Sequence, residues 1–452
     1  MKRILIVCHG HPDLSVGGGE IAAWRQCREL RATGYEVLFM SRAATPSKHG
    51  GTPFTVRAAE HDDVLFHSPN FDHFLHSQRA KWAVYEEFRS LLERFAPDVV
   101  HFHHYVHLGL ELIREVRKWS ERVPIVLTLH EFLAICNNHG QMLKTDGRLC
   151  RRALPADCHA CYPNHSAQDF FLRERFIKSF LGLVDMFVCP SRFLLERYAE
   201  WGLPRERLTM IENGQPIALG EPAEASAAEL ASRFAFFGQI SELKGIDVFL
   251  EAIRQLSPTL RRRAVFDIHG TVQHQSEAAK ERFAAKVSEL RDAVGYHGPY
   301  RPDDLPALMR EVGWVVVPSI WWENSPLVIQ EAFNHRRPVI CSNIGGMAEK
   351  VTDGVDGLHF RAGDARDLAR RIERACNAKL WTSLRAGITP PVSIEAATRQ
   401  HVELYAGAAD MRARTKLPVP LQPTAELVQM PVAASVPART RRVRKAASVA
   451  TG

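Results

Sequence analysis

The chain reads as an α/β protein built from two Rossmann-like domains in tandem, and three observations lead there. Short apolar runs that suit buried parallel strands, such as Trp314-Val-Val-Val317, alternate with amphipathic stretches of helical period along nearly the whole length. The alternation breaks between Gly214 and Ser232, where Pro216, Pro222 and many Ala and Glu mark a linker, and then restarts. At 452 residues the chain is also too long for one ordinary core. Two β-α-β arrays joined by one linker are expected to face each other across a cleft.

The first array opens on the strand Ile4–Val7, followed by a helix over about Glu20–Thr33 and a strand at Glu36–Met40. A helix from Lys81 to Phe95 leads to the strand Asp98–His103, and a helix over Glu111–Trp119 leads to Pro124–His130. After an irregular, cysteine-containing stretch, a helix over about Asp169–Leu183 precedes the strand Met186–Cys189. Thr209–Asn213 then closes a first domain over 1–213, and 214–232 is the linker. The second array takes strands at Arg233–Phe237, Ala264–His269, Ala293–Tyr296, Trp314–Val317 and Pro338–Cys341. Its helices fall at Gly245–Leu256, Ser276–Val287, Asp303–Val312, Pro326–Asn334 and Ala365–Cys376, completing a domain over 233–393. A last helix from Ile394 occupies 394–410, ahead of a tail over 411–452.

Apolar content of 46% with 24% charged residues is that of a soluble globular protein. No apolar run approaches the ~20 residues a membrane span needs. The start, Met1-Lys-Arg-Ile-Leu-Ile-Val7, runs at once into His9-Gly-His-Pro12 and reads as a buried strand rather than a signal peptide. The nine cysteines are therefore expected in a reducing cytoplasm. The net charge of +7 sits in the tail, where eight Lys or Arg between Arg412 and Lys445 face one acid, Glu426, leaving a neutral body. Without helical or strand period, that tail is expected to be disordered, a solvated extension. Weak attraction to the inner face of an anionic membrane is the alternative, at ~1 kcal/mol per basic residue. Nucleic-acid binding is disfavoured, because no aromatic residue is interleaved with those charges.

The chemistry concentrates at Pro318–Phe333. Glu323 falls in the loop after the strand Trp314–Val317, and Pro326 suits a helix start with Asn324 or Ser325 as its cap. Glu331 then lies about a turn and a half into that helix, and the free N–H groups of Leu327 and Val328 face the crevice between the two carboxylates. Such a site suits a ligand carrying both hydroxyls and phosphates, a nucleotide sugar. A second strand-loop-helix element, Phe234–Gly245, turns at Gly238 and sets Lys244 before a helix, where a lysine is a point charge for a diphosphate.

These elements together resemble the retaining GT-B glycosyltransferases of family 4, over about residues 1–408. The set that carries the resemblance is Glu323-x7-Glu331, Ala332, Pro338-Val-Ile340, Gly345-Gly346 and Glu349, with the Lys244-Gly245 pair. It implies a GT-B fold with a C-terminal helix crossing back. It also implies a nucleoside diphosphate sugar as donor, a glycan or lipid-linked acceptor, and no catalytic metal. By the same resemblance Glu331 holds the ribose diol, Glu323 and Gly345-Gly346 lie at the donor sugar, and Lys244 binds the diphosphate. The family carries Arg after the glycine of the first motif, whereas this chain has Gln239 after Gly238. A missing preorganised donor there costs ~3 kcal/mol of transition-state stabilisation unless replaced. Arg301 and the helix N-termini are the candidate replacements.

In the first half, Gly17, Gly18 and Gly19 open a helix but do not form Gly-x-Gly-x-x-Gly, which disfavours a dinucleotide site. The resemblance turns this loop toward phosphates and acceptor, and places His130 beside the donor sugar; a core histidine is the alternative. The group His101, His103, His104 and His107 ends another strand, where alternate residues point to opposite faces, so cleft contacts or packing are favoured over metal ligation. Cys136, Cys150, Cys158 and Cys161 permit a structural four-thiolate zinc site, with free thiols or a labile disulfide as the alternative. The basic, aromatic helix Phe170–Phe180 either contacts a lipid-linked acceptor or packs on the sheet. A nucleotide-sugar epimerase, a phosphorylase and a non-catalytic binding homologue are the competing readings on the same architecture.

Overall fold

The computed structural model describes residues 1–14, 17–43, 52–58, 62–67, 70–79, 81–217, 225–273 and 275–414. The expected disordered tail lies outside these from residue 415 onward.

Ten strands belong to the first half: β1 Arg3–Cys8, β2 Glu36–Ala43, β3 Phe54–Ala58, β4 Asp62–His67, β5 Phe71–Asp72, β6 Ser77–Gln78, β7 Val99–Phe102, β8 Ile125–Thr128, β9 Met186–Cys189 and β10 Leu208–Met210. The second half adds β11 Arg233–Phe237, β12 Val265–His269, β13 Val294–Gly298, β14 Trp314–Val317, β15 Val339–Ser342 and β16 Gly357–Phe360. The first sheet runs β10-β9-β8-β7-β1-β2-β4-β3 and the second β13-β12-β11-β14-β15-β16. All neighbours in both sheets are parallel except β3, which pairs antiparallel with β4 at the edge. The order reverses between β1 and β7 in one sheet and between β11 and β14 in the other. At such reversals the connections leave to opposite sides and open a crevice at the carboxyl ends of the strands. Those ends carry His9 and His103 in the first sheet, and Gly238 and Ser319 in the second.

Strand alternation builds a core on each face of the first sheet. Leu5, Val7, Val100, Phe102 and Leu127 fill one side, while Ile4, Ile6, Val99, Val126 and Val188 fill the other. The second of these cores is completed by the last helix, Ile394–Arg414, whose Ala397 and Tyr405 pack into it. This helix continues four residues past the expected limit of 410. Arg412, counted from sequence as part of the basic tail, instead pairs with Asp185 at 2.7 Å. The expected linker also contains a short helix, Ala227–Leu230, closed by a capping box between Ser226 and Glu229.

Chain geometry at the second crevice depends on a glycine at 245. Its φ is +73°, and a Cβ there would overlap the carbonyl of Pro318 at the end of β14. Gly245→Ala is therefore expected to destabilise the fold by about 2 kcal/mol or more, read as a lower melting temperature. A melting temperature equal to that of the unsubstituted protein would contradict this close approach.

Candidate active site

At the second crevice the loop after β14 brings Glu323 against Lys244 of the loop after β11. Its Oε1 accepts from Lys244 Nζ at 2.7 Å, Ser319 Oγ at 2.8 Å and Trp321 Nε1 at 3.0 Å. The carboxylate is buried while Lys244 is one-third exposed, so the lysine is the part of this pair that reaches solvent. Gly345 and Gly346 close over the same loop: the Gly346 N–H donates to the Glu323 carbonyl at 2.7 Å, and a Cβ at Gly346 would overlap the Asn324 carbonyl. Only glycine lets the two backbones lie this close.

The helix expected from Pro326 runs Leu327–Asn334, with Pro326 at the cap position and no side-chain cap. Neither Asn324 nor Ser325 caps it. Asn324 instead reaches the first sheet, accepting from Ser191 Oγ at 2.5 Å and donating to the His130 carbonyl at 3.0 Å. Ser325 is buried and its hydroxyl has no hydrogen-bond partner among the described residues. A tertiary bond across the crevice has displaced the local capping rule. Leu327 lies against the glycine loop, 3.6 Å from where a Gly18 Cβ would stand, and Val328 is partly buried in the core beneath.

Glu331 projects from this helix toward Arg25 of the helix Gly18–Ala32, at 3.6 Å. Burial pushes its carboxyl up from the ordinary range and the Arg25 charge draws it back. Arg25 also donates to Gln215 at 2.7 Å, Gln215 to Gln330 at 2.9 Å, and Gln330 to Glu212 at 3.1 Å. Arg25 drew no attention in the sequence because its partner lies 306 residues away, and only the fold joins them. Glu349 was likewise quoted without a role; its two oxygens accept the Arg192 and Phe193 N–H groups at 2.8 and 2.7 Å, at the start of the helix Arg192–Trp201. A carboxylate there complements the positive end of the helix.

Across the crevice, His130 stands beside the glycine loop, its Cγ 3.4 Å from where a Gly19 Cβ would be. Its Nε2 pairs with His103 Nδ1 at 3.2 Å. Burial, reinforced by His104 and His9, lowers His130 to about 3, so the ring is neutral. His104 Nδ1 accepts the Tyr105 and Val106 N–H groups, which leaves its Nε2–H to donate to Glu131 Oε1 at 2.9 Å. Burial lifts Glu131 to about 8, offset in part by the Leu133 N–H and by His9. His9 Nε2 meets Glu20 at 3.2 Å. Burial opposes charge on both, but Cys8 and Glu20 outweigh it to hold His9 near 10, and His9 draws Glu20 down to about 2. This ion pair fastens the loop after β1 to the start of the helix that carries Gly18, Gly19 and Arg25. Gly17 precedes that helix, and a Cβ there would overlap the Glu20 carboxylate.

Gln239 is exposed beside Gly238, whose φ is +133°. Arg301, the candidate replacement, is 80% exposed and lies 3.7 Å from Asp303. The four cysteines do not form the expected zinc site. Cys136, Cys150, Cys158 and Cys161 are free thiols, and among the described residues no three His, Cys, Asp or Glu side chains converge as metal ligands. Burial raises Cys136, Cys150 and Cys158, the last to about 12, which keeps them protonated, and the Cys150 thiol turns to the Arg152 carbonyl. On the helix Ala167–Leu181, Phe170, Ile177 and Phe180 are buried and Arg173 donates to the carbonyls of Phe74, Leu133 and Ala134. Phe171 and Leu172 remain exposed. Among the described residues no helix is long and apolar enough to cross a membrane.

Two family models match the chain: Glycosyltransferase Family 4 over residues 16–218 and Glycosyl transferases group 1 over residues 231–378. A D-inositol 3-phosphate glycosyltransferase of Corynebacterium aurimucosum is 25% identical over 61% of this chain and 63% of its own length. A lipopolysaccharide 1,2-N-acetylglucosaminetransferase of Salmonella typhimurium is 29% identical over 38% of this chain and 48% of its own. The chain thus spans less than two thirds of either relative. Among solved structures, HepE of Anabaena in complex with UDP superposes with a TM-score of 0.63 at 16% identity, over 90% of this chain and all of that one. The structural likeness shows the GT-B fold, and with matches along both halves the chain belongs to the group 1, family 4 type of glycosyltransferases.

Proposed function

We propose that this chain moves a sugar, with retention, from a nucleoside diphosphate sugar to a glycan or lipid-linked acceptor in cell-surface polysaccharide or glycolipid synthesis. The observation that carries the reading is the Lys244–Glu323 pair at the reversal of the second sheet, with Glu331 on the neighbouring helix. The UDP complex of HepE and the lipopolysaccharide named for the Salmonella relative support the donor and acceptor classes.

In this reading Glu331 accepts the two ribose hydroxyls, and the N–H groups of Leu327 and Val328 face the diphosphate. Lys244 exchanges part of its hold on Glu323 for a phosphate oxygen. That exchange neutralises the leaving group and turns the Glu323 carboxylate to the hydroxyls of the donor sugar, beside Gly345 and Gly346. As the glycosidic bond to the diphosphate breaks, positive charge develops at the anomeric carbon and negative charge on the departing oxygen. Lys244 and the helix N-terminus stabilise the latter. The acceptor enters by Gly17–Gly19 and His130, whose neutral ring offers a hydrogen bond without charge. Exposed Phe171 and Leu172, with the Arg175 guanidinium over Phe171 at 5.1 Å, offer contact to a lipid-linked acceptor at a membrane surface.

Four outcomes test this. In a thermal-shift screen of uridine, guanosine and adenosine diphosphate sugars, one base should raise the melting temperature of the unsubstituted protein, and the shift should vanish in Glu331→Ala. Glu331→Ala should also lower donor kcat/KM about a hundredfold, through loss of two hydrogen bonds to a charged group. Lys244→Ala should lower kcat by about a hundredfold to a thousandfold; near-normal turnover of either variant sinks the assignment. Because burial raises Glu331 and Arg25 opposes that, ribose binding should weaken as pH falls through its carboxyl range. Arg25→Ala should then move the acidic limb of donor kcat/KM to higher pH, and an unmoved limb would remove Arg25 from the site.

A further inference from the structure

On the side of the first sheet that faces the last helix lies a cavity of about 10 Å³, the room one water needs. Its walls include Gln26, His103, Thr128, Glu212, Thr398 and His401. Two buried polar atoms on these walls have no hydrogen-bond partner among the described residues: His103 Nε2 and Thr398 Oγ1. Each residue is only 3% exposed. Orphaned buried polar atoms on one small cavity mark a hydration site.

The neighbouring histidine has its tautomer set by fixed partners. Tyr405 receives from Gln26, so its hydroxyl donates to His101 Nδ1, and His101 Nε2–H donates to Thr128. His103 differs. Its Nδ1 meets only another ring nitrogen, His130 Nε2, and in that pair either ring is able to donate. A group at the far nitrogen of His103 is therefore coupled, through two rings, to the nitrogen of His130 that carries the proton at the cleft.

We propose that the cavity binds one buried water, shared by His103 Nε2 and Thr398 Oγ1, and that His103 is thereby a positioning residue for His130. The last helix then sets the hydrogen-bonding character of a cleft residue through a water and a second ring. This rests on the reading that His130 contacts the donor sugar or acceptor.

The test uses the full chain, labelled with 15N at histidine. In the unsubstituted protein, one tautomer each is expected for His103 and His130, with magnetisation transfer from a long-lived water to the His103 ring. Thr398→Val keeps the shape and removes the hydroxyl. It should abolish that transfer, leave His130 in a mixture of tautomers, and lower kcat about tenfold with donor and acceptor KM within about twofold. His103→Asn, which retains a group near Nδ1 but none near Nε2, should reproduce the Thr398→Val spectrum at His130. Absence of the water signal in the unsubstituted protein, or an unchanged His130 tautomer and kcat in Thr398→Val, overturns the proposal. A protein that transfers no sugar from any donor refutes the transferase reading, while the spectra still decide the water and the tautomer.

Discussion

The two halves meet through Asn324, and much of the site depends on that one amide. Its oxygen takes the Ser191 hydroxyl and its nitrogen gives to the His130 carbonyl, so one short side chain spans from the Glu323 loop to the ends of β8 and β9. The first bond is buried and the second partly so, and an unpaired partner left in a buried place is costly. Glu349 at the Arg192–Trp201 helix and Arg25 at Glu331 add charge-assisted contacts on either side. The glycine loop is thereby held against Leu327, and groups from both sheets share one crevice.

Charge in that crevice is arranged so that little of it is free. Glu323 is held by three donors, Glu331 faces Arg25, and Glu20 is paired with His9. Lys244 is the exposed member of its pair, which makes it the cation most open to exchange with an incoming anion. Gln239 stands where the family carries an arginine, and Arg301 lies at the surface beside Asp303.

Strand positions and the two glutamates were legible in the sequence because they are local signals: an apolar run, a proline at a helix start, a carboxylate a fixed distance along. The edge strand β3 and its neighbour β4 were not, since Phe54-Thr-Val-Arg57 lacks the apolar run of a buried strand and β4 holds only the short run Val64-Leu-Phe66. Arg25, Glu349 and His103 act through residues far along the chain, and no spacing rule reaches them. Asn324 shows the opposite failure. A capping rule applied to it correctly as local chemistry, and a bond across the crevice won. The cysteines carried a spacing compatible with zinc, but among the described residues no three ligands converge.

The last helix has a consequence for how the protein is made. Tyr405 and Ala397 complete the core on one face of the first sheet, although that sheet's own strands end at Met210. A ribosome delivers the N-terminal half first. Until nearly two hundred further residues have emerged, Ile4, Ile6, Val99 and Val126 share a core with Ala23, Cys27 and Leu30 of the helix Gly18–Ala32 but lack the part that the last helix adds. The core on this face is therefore completed only after the whole second array has been synthesised.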